Sequence, residues 1–393
     1  MIHPKLKEAI QKYSEELTEI RRHLHSEPEV AWEEFKTTTF VCQYLENLGI
    51  PYRRTVPTGV IAEIKGGHAG KTVALRADMD ALPVEELNKN LVYASKEEGK
   101  MHACGHDAHT AMLLIAAKAL NDIKEELTGI VRFLFQPAEE VAQGAKEMVK
   151  QGAMQDVDNI FGIHIWSQMP TNKISCQPGP SFAAGDWFQI TFKGKGGHGA
   201  MPHTCIDAAV VASAFVMNVQ TIVSRTIDAQ SPAVVTIGKM DVGTRFNVIA
   251  ETAVIEGTIR CFYPETREHI ETQLHHYVES IAQMYGATAT IEYTHGSQAV
   301  INDEWSAKLV QQVAAEAFGE EALYAEKPTM GGEDFSFYLS EASGSFALVG
   351  SGNPEKDTEW AHHHGKFNID EDALVTGAEL YAQYAWAYLL AGK

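Results

Sequence analysis

The chain has little cysteine, little positive charge and no long apolar run. Its five cysteines in 393 residues (Cys42, Cys104, Cys176, Cys205, Cys261) are odd in number and widely scattered, which excludes a disulfide framework. Lys and Arg total 32 against 52 Asp and Glu, a net charge of -20. A surface so poor in cations excludes general binding to a nucleic-acid backbone and docking on anionic membranes. The most apolar stretch, 208–223, is short and carries Ser213, Asn218, Gln220 and Thr221, so it reads as a buried helix rather than a membrane span. Near the N-terminus Ile10, Tyr13, Leu17, Ile20 and Leu24 recur every three or four residues among charged neighbours. That spacing predicts an amphipathic surface helix, not a signal peptide. There is no internal repeat and no low-complexity segment. The expectation is a soluble cytoplasmic protein, long enough for two or three domain-sized units.

What the chain does have is alternating strand and helix patterns. Strands are predicted at 72–76, 129–135 and 160–165, and helices at 109–120 and 146–151. This order predicts parallel strands with helical crossovers. The pattern changes near Pro178-Gly179-Pro180, a predicted hinge. Strand 187–193, helix 206–225, strands 233–240 and 251–262, helix 265–285 and strand 288–294 follow, which is the β-α-β-β-α-β order of a ferredoxin-like unit. Helix 306–318, strand 345–350 and helix 371–390 then resume the first pattern. The prediction is an α/β domain (1–182 plus 295–393) interrupted by an inserted α+β domain (183–294).

Chemistry-bearing residues gather at predicted strand ends. His102-Ala-Cys104-Gly-His106-Asp107-Ala-His109 holds five potential metal ligands in eight residues, of the types that bind zinc and related cations. Glu139 and Glu140 follow the strand 129–135. Adjacent residues in extended backbone point in different directions, so one carboxylate is free to bind metal while its neighbour serves as a base. His164 ends another strand, and Asp78 and Asp80 a third. That carboxyl edge is where open α/β sheets carry their sites. His362-His363-His364 offers a ligand from a distant segment, and spacing alone does not choose among the three. Gly194–Gly199 formally matches G-x-G-x-x-G, but Pro202 follows at once and no acidic residue lies about 20 positions on at a strand end, so a dinucleotide site is rejected. His198 in that loop, Asn247 and Arg260 are the polar residues of interest in the insert, Arg260 being suited to a bidentate carboxylate contact.

Cys104, His106, Glu140, His164 and one of the C-terminal histidines make five ligands, enough for two divalent cations. Two close cations polarise a carbonyl and lower a water's pKa towards about 7. Glu139 is placed to take that water's proton and pass it to the leaving nitrogen, and His198 to donate to the oxyanion. The predicted reaction is amide hydrolysis.

The motifs RRHLHSEPE (21–29), RADMDALP (76–83), MHACGHDAH (101–109), FQPAEE (135–140), GIHIW (162–166), GKGGHGAMPH (194–203), FNVIAE (246–251), GTIR (257–260), GGEDF (331–335) and HHHGKFNIDE (362–371) run through nearly the whole chain. In this order they resemble the dinuclear metal aminoacylase and carboxypeptidase family, in the branch with hippurate hydrolase and the indole-acetyl-amino-acid hydrolases. The resemblance implies a mixed sheet flanked by helices with an inserted lid and dimerisation domain. It implies metal binding by Cys104, His106, Glu140, His164 and His363, the last because it stands four residues before Phe367. It further implies Glu139 as general base, His198 reaching the metal site of a partner subunit in a homodimer, and substrate contacts from Asn247, Arg260, Gly331 and Glu333. Two departures stand out. Arg76 occupies the place of a ligand His in more distant members, with Cys104 compensating and Asp78 left as an outer support. His362-His363-His364-Gly365 replaces the common Leu-His-x-Pro.

The expected substrate is an N-acetyl or N-benzoyl L-amino acid. Deacetylation of N-acetyl-diaminopimelate or N-acetylcysteine, or dipeptidase or carboxypeptidase action, would use the same residues. Ligand softness favours zinc, with manganese or cobalt allowed. Two other classes compete: a thiol hydrolase built on Cys104, and a metal-binding scaffold without catalysis. Glu139 argues against the scaffold, and sensitivity to a chelator separates out the thiol enzyme.

Overall fold

The computed structural model describes residues 1–392. The described residues divide into two compact units: residues 1–181, 301–327 and 334–392 in the first, and 182–300 with 328–333 in the second.

The first unit is built on a seven-stranded sheet in the order Tyr52–Arg54, Val60–Lys65, Thr128–Gln136, His68–Asp78, Asn159–Pro170, Ser343–Gly352 and Ile174–Ser175. The four strands from Thr128–Gln136 to Ser343–Gly352 run parallel. The strands Val60–Lys65 and Ile174–Ser175 pair antiparallel at either side, so the sheet is mixed. Its central strands are apolar on both faces, with Val73, Leu75, Phe133, Phe135, Phe161 and Ile163 buried on one side and Ala74, Leu134, Ile160 and Phe346 among those buried at the alternate positions, the pattern of a sheet covered by helices. The helices His106–Asp122 and Asp372–Ala391 pack on it and on each other. Nearly all of Asp372–Ala391 is buried. Its Tyr381 hydroxyl donates to the Arg76 carbonyl (2.6 Å) and its Tyr384 hydroxyl to Asn159 Oδ1 (2.7 Å), which satisfies the polar tips of two core tyrosines.

The predicted first helix is two helices, Pro4–Lys12 and Ser14–Ser26, broken at Tyr13. Tyr13 leaves helical geometry (φ -94°, ψ 10°) and donates its hydroxyl to Asp122 (2.7 Å). The apolar periodicity survives this break because the two short helices use the same apolar residues to face the core.

The second unit is an antiparallel four-stranded sheet, ordered Ala233–Val242, Thr252–Cys261, Ala184–Lys193, Thr288–His295. The helices Ala208–Thr221 and Pro264–Tyr285 cover one face, giving the ferredoxin-like order. Strict alternation of burial along Thr252–Cys261 is what a sheet with one covered face requires. The apolar helix noted in the sequence turns Val211, Phe215 and Val219 into this core, leaves Val210 and Met217 exposed, and ends in a π turn at Ile222–Thr226.

Candidate metal centre

Three parallel strands and one helix start bring the ligand set together. The strand His68–Asp78 runs out at Asp78, and Thr128–Gln136 is stopped by Pro137. His164 lies within Asn159–Pro170. Gly105 precedes the helix His106–Asp122 with φ +95°, and a Cβ there would sit 2.4 Å from Ile165 Cγ2. Only glycine meets both conditions, and this tight entry turns Cys104 and His106 into one pocket. Cys104 Sγ lies 3.5 Å from His164 Nε2. His106 Nε2 lies 3.8 Å from Glu140 Oε1, and His363 Nε2 lies 3.5 Å from Glu140 Oε2. A tetrahedron of metal bonds of about 2.1–2.3 Å has edges of about 3.4–3.8 Å, so these separations are compatible with ligands that share an ion. The donor atoms of Cys104, His106 and Glu140 lie within 4.8 Å of one another, as do those of Cys104, His164 and His362. Cys104 is common to both groups.

The residues fit two divalent cations. Both ring nitrogens of buried His106 and Oε1 of Glu140 have no hydrogen-bond partner, a state native interiors avoid unless something else satisfies the group. A thiol, imidazoles and a carboxylate form a donor set that suits zinc and its neighbours. Burial disfavours the charged form of His106, yet the carboxylates of Asp78, Asp80 and Glu140 outweigh it and push its pKa up to about 10. Burial pushes the Glu140 carboxyl up as well. The pocket thus concentrates carboxylates around His106.

Around the ligands is a shell of hydrogen-bonded side chains. Arg76, completely buried, donates to Gln136 Oε1 (2.7 Å), Asp78 Oδ2 (2.7 Å) and Asp334 Oδ1 (3.1 Å). Asp78 Oδ1 pairs with His109 Nδ1 at 2.6 Å, while His109 Nε2 accepts from the Ile165 amide at 2.8 Å. Both nitrogens of His109 are thus used, and it supports the site without a donor atom to spare. Asp107, next to His106, takes Arg21 Nε (2.9 Å) and His25 Nδ1 (2.7 Å). His25 continues to Glu86 at 3.3 Å. Arg21 and His25 outweigh burial and hold the Asp107 carboxyl well below the usual range. Burial pushes His102, beside this network, down to about 4.

Glu139 is half-buried beside Glu140; it is in neither of those two groups, and its carboxylate lies within 4.8 Å of that of Asp334. His363 sits in the left-handed region (φ 67°) with its side chain 55% exposed. His362 turns inward against Trp166 and Phe367, and its Nε2 takes the Ser167 amide at 3.4 Å. The remaining predicted residues belong to the second unit. His198 is exposed on the short strand Gly197–His198, paired with Val248–Ile249, and its Nδ1 accepts from the Ala200 amide at 3.0 Å. Asn247 is exposed and binds the Gly199 amide through its carbonyl (3.0 Å). Arg260 is half-buried, donates to the Ile259 carbonyl (2.9 Å) and makes no ion pair among the described residues. Gly331 is exposed and Glu333 buried. Sequence reasoning assigned no role to Arg21, His25 or Glu86. Their only signal is that they lie in or beside the RRHLHSEPE and RADMDALP motifs.

A mixed α/β sheet that carries a two-cation ligand set at its carboxyl edge, with a second carboxylate adjoining one of the ligands, defines a metal-dependent hydrolase. Residues 74–387 match peptidase family M20/M25/M40, and the chain belongs to that family. It is 41% identical over 361 residues to an N-acetyl-L-cysteine deacetylase of Bacillus subtilis, covering 92% of this chain and 85% of the relative. It is 38% identical over 376 residues to the IAA-amino acid hydrolase ILR1-like 4 of Arabidopsis thaliana, covering 94% and 85%. Its fold is similar to that of the Bacillus subtilis YXEP protein, described as a dinuclear metal binding peptidase of the M20 family (TM-score 0.86, 35% identity, 97% and 99% of the two chains). The protein is a metal-dependent enzyme of the amidohydrolase and peptidase type.

Proposed function

We propose that the enzyme hydrolyses the amide bond of N-acyl-L-amino acids of the N-acetyl or N-benzoyl type. The observation that carries this is the division of labour at the end of Thr128–Gln136. Glu140 groups with Cys104 and His106, while Glu139 beside it falls in a different, all-carboxylate group that includes Asp334. When bound, two divalent cations polarise the amide carbonyl and acidify a water. Cys104, His106, Glu140, His164 and His363 hold them, with zinc favoured by the thiolate and imidazoles and manganese or cobalt compatible with the carboxylate. Glu139 takes the proton of the attacking water and delivers it to the leaving nitrogen as the C–N bond breaks, releasing a carboxylate and a free amino acid. His198 donates to the oxyanion from Nε2, its Nδ1 being engaged. Asn247, Arg260, Gly331 and Glu333 are assigned to substrate, with Arg260 facing the substrate carboxylate because its guanidinium has no acidic partner of its own. The active form is a homodimer through the inserted domain, in the cytoplasm, where the five unpaired cysteines stay reduced.

Deacetylation of N-acetylcysteine is the second reading, favoured by the deacetylase relative. Hydrolysis of N-acetyl, N-benzoyl and dipeptide substrates, with zinc, manganese and cobalt each added back, separates the two. Glu139→Gln is expected to lower kcat by about 10²–10⁴ with metal content unchanged. Unchanged turnover removes Glu139 as the base, and activity that survives complete metal removal refutes the metal mechanism. Sedimentation that finds a fully active monomer rules out a shared site.

A further inference from the structure

Arg260 is half-buried and pairs with no acid among the described residues, so packing rather than charge fixes its guanidinium. In the small sheet Arg260 of Thr252–Cys261 stands directly opposite Gly185 of Ala184–Lys193. A Cβ at Gly185 would lie 3.2 Å from Arg260 Cζ, 3.2 Å from Nη1 and 3.4 Å from Nε, and no other group comes nearer to that position. Three atoms of one plane at nearly equal distance mean that the guanidinium lies face-on over the glycine. Gly185 does not adopt positive φ, so its backbone conformation does not call for glycine, and glycine inside a strand weakens the strand unless something must approach closely. Here the close approach is that of Arg260. Its Nη1 also donates to the Ile259 carbonyl (2.9 Å), which fixes the rotation of the plane and leaves the Nε–Nη2 edge without a protein partner among the described residues. Such an edge, with two parallel N–H groups, grips a carboxylate bidentately. The adjacent acid, Asp186, does not compete for it. Successive strand residues point to opposite faces, and the Asp186 oxygens are taken by Arg267 Nε (2.8 Å), the Tyr293 hydroxyl (2.7 Å) and the Gly296 amide (3.0 Å).

We infer that Gly185 is a positioning residue for substrate recognition: by lacking a side chain it seats the Arg260 guanidinium flat on the sheet, with its bidentate edge free for the substrate carboxylate. This rests on the assignment of Arg260 to that carboxylate under the proposed function. Non-bonded heavy atoms ordinarily settle about 3.5–4.0 Å apart, so an alanine methyl at position 185 makes the guanidinium retreat by about 0.3–0.8 Å. The γ-methyls of valine push it further, and valine is itself favoured in strands. A displaced guanidinium keeps its charge and loses the planar fit on which the paired contact depends.

Gly185→Ala and Gly185→Val, measured beside Arg260→Ala in the metal-loaded enzyme, test it. Arg260→Ala is expected to raise KM for an N-acyl amino acid about 10–100-fold, the loss of a charged hydrogen-bonded contact. Gly185→Val is expected to raise it about tenfold and Gly185→Ala about threefold, with kcat within about threefold of wild type in both, since the contact is made equally in ground and transition states. The matching N-acyl amino acid amide, whose carboxamide is neutral, is expected to be hydrolysed by both glycine variants within about twofold of the wild-type kcat/KM. An equal loss on acid and amide means a general distortion of the unit and overturns the inference. So does a Gly185→Val KM within about twofold of wild type while Arg260→Ala raises it; should Gly185→Val not fold, Gly185→Ala is held to the same limit. An unchanged KM in Arg260→Ala removes the assignment of Arg260 and the inference with it. A crystal structure of Gly185→Val needs no substrate. The guanidinium is expected to have moved by at least about 0.5 Å, and one left in place overturns the seat. A wild-type enzyme inactive on every N-acyl amino acid therefore sinks the proposed function, while the seating of Arg260 is decided separately.

Discussion

Arg76→Met removes the cation at the centre of the buried shell. The guanidinium is completely buried and is the common partner of Asp78 and Asp334. Two like charges remain in a dry interior after the substitution, and breaking a buried pair in this way costs about 3–5 kcal/mol. An independent bound comes from the escape route, protonation of one carboxyl. At pH 7 that costs about 4 kcal/mol for an acid of ordinary pKa near 3.9, and at pH 5 about 1.5 kcal/mol. In the wild type, burial opposes ionisation of Asp78, but His106, Arg76 and His109 hold its pKa well below the usual range. A depressed carboxylate contributes its full stability above the unfolded pKa, so the wild type loses nothing from this group between pH 5 and 7. In the variant His106 and His109 still hold Asp78 ionised, and the carboxyl that takes up a proton is the one left without a cation, so stability drains away as pH rises. The deficit of Arg76→Met is therefore expected to be about 4 kcal/mol at pH 7 and to shrink to about 1.5 kcal/mol at pH 5. Calorimetry of the metal-free protein measures it as a fall of roughly 8–16 °C in the large unit's transition at neutral pH. Arg76→Lys is expected to recover part of this, since one ammonium does not reproduce the planar fork that spans three acceptors. A deficit below about 1 kcal/mol, or one that does not change with pH, refutes the argument that Arg76 is there to compensate charge.

Other consequences are more local. Asp186, 1% exposed, binds Arg267, the Tyr293 hydroxyl (2.7 Å) and the Gly296 amide (3.0 Å). These partners overcome burial and lower its pKa. Asp186→Asn is expected to destabilise the small unit by about 2 kcal/mol at pH 7, with the difference vanishing as pH falls below about 4; urea titrations at both pH values test this. At Gly162 a Cβ would lie 2.6–2.8 Å from the Phe346 and Phe335 rings, so Gly162→Ala is expected to cost about 1–3 kcal/mol in the same assay, and a neutral result would mean that the rings yield freely. Zinc at about 1,000 times its Kd is expected to stabilise the metal-free protein by about 4 kcal/mol. A melting temperature indifferent to metal would mean that no such cation binds the folded state.

Element types were legible because each has a short period. The strands around Val73, Phe133 and Ile163 read as apolar runs, and the small domain's β-α-β-β-α-β order followed from alternation. The break at Tyr13 was not legible, since two helices that share an apolar side keep one periodicity. Dense ligand types also showed in sequence, because Cys104, His106 and His109 share one turn and two adjacent glutamates end a strand. Their separate duties did not. His109 looks no different from His106 until Asp78 and the Ile165 amide take both its nitrogens.

By itself the sequence determined the alternating architecture, the acidic surface and the stock of ligands at one sheet edge, properties of residue type and local spacing. Only the tertiary structure decided that Asp78 serves Arg76 and His109 while Asp80 accepts the Glu139 and Glu140 amides. It also decided that Arg21 and His25 neutralise Asp107, and that His362 turns inward while His363 faces Glu140. Those outcomes depend on which side chains from distant segments reach a buried polar atom first. A buried donor or acceptor binds whatever the packing delivers, and sequence spacing carries no record of that.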